Sequence, residues 1–128
     1  MVRIIITLIG LHSVLLGGLM MAQPRWVLGL LGFPGEIPIF FPSQSGIFLV
    51  ILGISYLLAL VEPAFIKIIL YSKACAVFFL VAHAAFLGAP PIIWAAAVGD
   101  GGMLALMSTA LYWEKRSLAR AGSGNQPP

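Results

Sequence analysis

Four blocks of the sequence, residues 4–22, 46–61, 64–87 and 92–113, are too apolar to share water as a solvent. The first carries no charge at all, and at ~1.5 Å per residue it is long enough to cross a hydrocarbon core of ~30 Å. With 61% of 128 residues hydrophobic and only 9% charged, a soluble globule would lack the polar surface to cover itself. The expected fold is therefore all-α, an integral membrane four-helix bundle. At this length the bundle is a single domain over residues 1–116, with no room for a second, soluble one.

The connections are read from their punctuation. Between residues 23 and 45, Pro24, Gly29, Gly32, Pro34, Gly35, Pro38 and Pro42 forbid a long helix, while Trp26, Phe33, Phe40 and Phe41 keep the segment apolar. This predicts an interfacial loop with a short helix over 25–31 at headgroup level. Glu62-Pro63 breaks the chain after the second span, and a helix starting near Pro63 is expected to run through the membrane to Leu87. Gly88-Ala89-Pro90-Pro91 is a tight turn, and Gly99-Asp100-Gly101-Gly102 is expected to interrupt or kink the fourth span. Residues 117–128, ending Gly-Ser-Gly-Asn-Gln-Pro-Pro, are polar and predicted to be a disordered cytoplasmic tail.

Charge excludes some functions and orients the chain. The net charge of +3 could suggest nucleic acid, but the Lys and Arg residues stand near the ends of apolar segments and form no patch. With four crossings, Arg3, Lys67, Lys73, Lys115, Arg116 and Arg120 fall on one side against Arg25 on the other, which predicts both termini in the cytoplasm. The N-terminal block lacks a convincing small-x-small cleavage site and reads as a retained helix. A single cysteine, Cys75, excludes an internal disulfide, a CxxC redox pair and a cysteine-based zinc cluster.

Counting helical rise places His12, Tyr56 and Asp100 at similar depth near mid-membrane, with His83 about one turn further out. An Asp at that depth costs roughly 2.5–3.5 kcal/mol on insertion scales, so it should face the bundle interior and either have a partner or be protonated. His12 is the expected partner; Lys73, ~9 Å deeper toward the cytoplasm by the same count, is the second choice because its stem can snorkel to the headgroups. The layer of His12, Tyr56, His83 and Asp100 has two readings. Such groups commonly fix helix register through hydrogen bonds, and a His beside a carboxylate can also bind a ligand or exchange protons. No i, i+4 ligand pairing marks a metal site, no phosphate-binding lysine follows the Gly-Asp-Gly-Gly run, and no catalytic set is complete. No catalytic residue or cofactor is assigned.

A charge-poor first helix, a Pro/Gly-rich aromatic loop, the acid-Pro break at Glu62-Pro63, a lysine at the head of the third helix, Lys73, and Gly99-Asp100 in the fourth together resemble the DoxX-like group of small four-helix membrane proteins. The resemblance covers roughly residues 3–116. It implies a compact four-helix bundle of the bacterial inner membrane, in a group whose members are sometimes accessory to membrane redox or oxidative-stress systems, and it carries over no site residues. The small multidrug transporters are similar in size but need an embedded Glu in the first helix, where this chain has His12.

Two functions are consistent with these features. The first is an accessory or interaction subunit that meets lipid and a membrane protein partner, or a second copy of itself, through glycine-lined faces. The alternative is a membrane protein that holds a quinone or lipid-like ligand, or handles protons, at the His12, Tyr56, His83 and Asp100 layer.

Overall fold

The computed structural model describes residues 1–33, 35, 36 and 38–123, with side chains through Arg120. It is all-α, with α1 (Val2–Ala22), α2 (Pro24–Leu30), α3 (Phe40–Leu58), a 3-10 turn (Pro63–Phe65), α4 (Ile66–Phe86) and α5 (Ile92–Ser123). Among the described residues, four helices are long and apolar enough to cross a membrane: α1, α3, α4 with its 3-10 turn, and α5.

Proline fixes where these helices begin. Pro24 is the first residue of α2 and Pro63 the first of the 3-10 turn, positions whose missing N–H would have had no intrahelical acceptor. Pro42 is the third residue of α3, so it too lies within the first turn, and the helix starts at Phe40, six residues ahead of the expected Gly46. The Glu62 side chain accepts a hydrogen bond from the Ala64 amide at 3.2 Å and caps the 3-10 turn. After α4, Gly88 adopts φ +66°, which lets the Leu87 and Ala89 amides both return to the His83 carbonyl.

Two expectations about α5 are corrected. The Gly99-Asp100-Gly101-Gly102 run does not interrupt it, because in an apolar surrounding an opened backbone would find no substitute acceptors. The helix also continues into the expected tail as far as Ser123, while residues 124–128 lie outside the described residues.

The spans form an up-down-up-down bundle in which α1 packs on α3 and α4 on α5, and the two pairs meet along α1–α5 and α3–α4. Glycines seven residues apart set the first pairing. A Cβ on Gly17 would stand 2.6 Å from the Gly46 carbonyl oxygen, and one on Gly53 would stand 2.8 Å from the Gly10 carbonyl oxygen. Gly10 thus faces Gly53 while Gly17 faces Gly46, an antiparallel register in which two backbones touch without intervening side chains. A heptad spacing keeps such contacts on one side of a gently supercoiled pair.

One end of the bundle is packed solid. Ile6 of α1, Ile69 of α4 and Met107 of α5 are fully buried there beside Val2, Ile9, Tyr56, Ala59 and Ala110. Arg3 donates to the Leu60 carbonyl at 3.2 Å, which ties the start of α1 to the end of α3 and sets a cation against the carbonyl-rich terminus. Lys67, Lys115 and Arg116 lie at this same end, called here the basic end, and Arg25 and Glu36 lie at the far end. Outward, Ile4, Leu8, Leu15, Phe78, Val98 and Leu106 are more than half exposed, a surface that only lipid or another apolar helix can solvate.

Gly17→Ala is expected to lower stability by about 1–3 kcal/mol, because the new methyl must push two backbones apart. Gly18→Ala, where a Cβ meets nothing within 4 Å, should stay within ~1 kcal/mol of the parent. Denaturant unfolding of the two variants in mixed micelles, followed by circular dichroism, checks the contrast.

Candidate functional site

The packed end gives way to a polar layer. Lys73 follows Ile69 by one turn of α4, and its ammonium lies 2.5 Å from Oδ1 of Asp100 on α5. The Lys73 side chain is 8% exposed and that of Asp100 19%, so both charges are taken from solvent and stand against each other. In such surroundings each charge alone would be costly, and the short charge-assisted hydrogen bond offsets that cost for both at once.

Beside the ion pair, Tyr56 of α3 bonds through its hydroxyl to Ser72 Oγ at 2.6 Å. Ser72 is the residue before Lys73, and its own hydroxyl is also within 2.6 Å of the Ile68 carbonyl one turn back. Every polar atom buried in this layer has a partner among the described residues. The layer joins α3, α4 and α5 by side chains, directly above the apolar core.

Beyond the ion pair toward the far end, the bundle opens. A cavity of about 400 Å³ is bounded by His12 and Leu16 of α1, Leu31 after α2, Leu80 of α4, and Ile93, Ala95, Ala96, Gly99, Asp100 and Met103 of α5. Small residues on α5 create the space, since a Cβ on Gly99 would meet nothing within 4 Å. A second cavity of about 520 Å³ adjoins it, sharing Leu80 and Ile93 and bounded by Gly32, Phe33, Phe79, His83 and the turn at Leu87–Pro90. His83 holds its ring by a 2.8 Å hydrogen bond between Nδ1 and the Phe79 carbonyl, with the Phe79 ring 3.8 Å away between centroids. A carbonyl only accepts, so Nδ1 carries the proton and Nε2 is the acceptor whenever the ring is neutral.

The four residues read from sequence are thus divided among three places. Asp100 and His12 border the same cavity, but the partner of Asp100 is Lys73 and not His12. Tyr56 lies on the packed side with Ser72, and His83 borders the second cavity. Counting backbone rise separated Lys73 from Asp100 because it left out the reach of a four-carbon stem, the same stem that would otherwise snorkel. Ser72 and Phe79 were overlooked; for Ser72 the available signal was a hydroxyl next to Lys73, the lysine further into the third span. The glycines flanking Asp100 do not draw helices together: Gly99 and Gly102 face open space, and a Cβ on Gly101 would sit 3.8 Å from Val77, an ordinary contact.

Among the described residues no cluster of three His, Cys, Asp or Glu side chains could hold a metal ion. Comparison of the chain with family models, with curated proteins and with solved structures finds no match.

Removing one partner of the ion pair leaves the other charged and buried. Lys73→Met and Asp100→Asn are each expected to cost about 3–5 kcal/mol, while the double variant, which leaves no unpaired charge, should recover most of that loss. A double-mutant cycle of unfolding in micelles reads the difference; additive losses would show that the two groups do not interact.

Proposed function

We propose that this protein is a ligand-binding four-helix protein of the bacterial inner membrane, and that the cavity bounded by His12 and Asp100 holds a small quinone- or lipid-like molecule. The observation that carries this reading is an apolar cavity of drug-like size, about 400 Å³, that ends on a buried ion pair. An apolar wall with few, fixed polar groups is the composition of a site that orients an amphiphile. Ion pairs used only for helix register need no adjoining space, whereas here Ala95, Ala96 and Gly99 leave space on the α5 side. The bacterial inner membrane follows from the resemblance to the DoxX-like group, and orientation from the concentration of Arg and Lys at one end.

A second reading, an accessory subunit, draws on the length of α5. Its 32 residues span ~48 Å, well beyond the ~30 Å of a hydrocarbon core. The start of α1 lies beside Trp113, Glu114 and Ser117, and α5 runs on past that level with Leu118 69% exposed. A projecting helix of this kind offers a partner a hold outside the membrane.

Native mass spectrometry of the mildly solubilised protein separates the two. Ligand binding predicts a stoichiometric lipophilic adduct that is lost in Gly99→Leu, which fills the cavity rim without touching the ion pair; a co-purifying chain and no adduct would favour the accessory role. A reporter fused after Pro128 is expected on the cytoplasmic face, and its appearance outside would overturn the orientation.

A further inference from the structure

The cavity wall carries information about the charge of what it takes. It carries one acidic group, Asp100, whose negative charge is balanced by the Lys73 ammonium 2.5 Å away, outside the lining. The rest of the lining is apolar apart from His12 in the first cavity and His83 in the second. A ligand that brought a net charge would find no counter-charge free to receive it, and in a medium without water that charge would stay unpaired. A neutral ligand with a hydroxyl or carbonyl head meets no such obstacle. Asp100 Oδ1 is taken by Lys73, but a carboxylate has further lone pairs for a hydroxyl donor, and the His12 ring on the same wall has an N–H for a carbonyl in either neutral tautomer.

The second cavity fits the same ligand class. Its lining is aromatic and aliphatic, and its one fixed polar group is the His83 ring, whose Nδ1 is already engaged. His83 lies ten residues beyond Lys73 on α4, ~15 Å along the helix. The two cavities, which share Leu80 and Ile93, therefore line an elongated apolar course with a polar group near each end. Its far mouth is bounded by Gly32 and Pro90, where a Cβ on Gly32 would come within 3.0 Å of the proline ring.

We propose that the site selects an uncharged isoprenoid or acyl amphiphile with a hydroxyl or carbonyl head, seated with that head at the Lys73–Asp100 pair and its chain along the course toward His83. This rests on the ligand-binding reading above and adds the charge of the ligand to it. The balanced pair is the selecting element: unbalancing it should reverse the preference.

The test uses three probes with one chain and three heads, farnesol, farnesyl phosphate and farnesylamine, offered to the full-length protein in nanodiscs and read by native mass spectrometry with competition. The parent protein is expected to retain farnesol at least about tenfold better than either charged probe, the ratio that a modest uncompensated charge already produces. Lys73→Met should shift the preference to farnesylamine and Asp100→Asn to farnesyl phosphate. The charge-balanced double variant, which avoids the folding cost of an orphaned charge, should return to farnesol. Preferential retention of a charged probe by the parent, or a double variant that still prefers one, overturns the selection rule and leaves ligand binding standing. Binding of none of the three overturns both.

Discussion

A lysine and an aspartate that meet between two helices, away from water, constrain everything around them. Neither can be left alone in an apolar medium, so α4 and α5 must stay in the register that joins Lys73 to Asp100. With that register held, Ile69 falls one turn below the pair into the solid core, and Ser72 falls where it can bond to Tyr56 of α3. The packed basic end and the open far end thus meet at one polar layer. Below it, Ile6, Ile69 and Met107 are fully buried; above it, the helices border two adjoining cavities.

The second constraint is the backbone contact between α1 and α3. Gly10 with Gly53 and Gly17 with Gly46 bring these two backbones into contact at points seven residues apart, which leaves no room between the helices there. The space at the far end lies instead between this tight pair and the α4–α5 pair, where His12, Leu16 and Leu31 face Leu80, Ile93 and Asp100. The two pairings therefore differ in kind. One is held by absent side chains and is continuous; the other is held by one charged contact and leaves room beside it. That difference is what gives the proposed ligand its site.

Most of the fold was legible because lipid enforces helices and long apolar blocks reveal them. The short α2 and the breaks at Pro24 and Pro63 followed from proline chemistry. The beginning of α3 did not, since Pro42 reads as a helix breaker unless its place in the first turn is known. The Gly-Asp-Gly-Gly run misled in the same way: glycine weakens a helix in water, where the backbone has other partners, but not where it has none. At the site, sequence identified Asp100 as the group that needs a partner and placed His12 near it, yet chose the wrong contact. Depth along an axis can be counted from sequence; the direction and reach of a long side chain cannot. The glycines show the same limit, because Gly17 and Gly53 act as close-contact residues and Gly99 and Gly102 do not, although all four look alike in the chain.

The direct test of the central claim uses the fact that Asp100 is the only aspartate among 128 residues. Solid-state NMR of protein in lipid, labelled with 13C at the aspartate carboxyl and 15N at the lysine side chains, reports one carboxyl resonance and whether a lysine nitrogen lies beside it. The account predicts an ionised carboxylate strongly dipole-coupled to one lysine nitrogen, with the coupling abolished in Lys73→Met. A protonated carboxyl with no coupling to any lysine would contradict it, and would remove the floor of the cavity from the account.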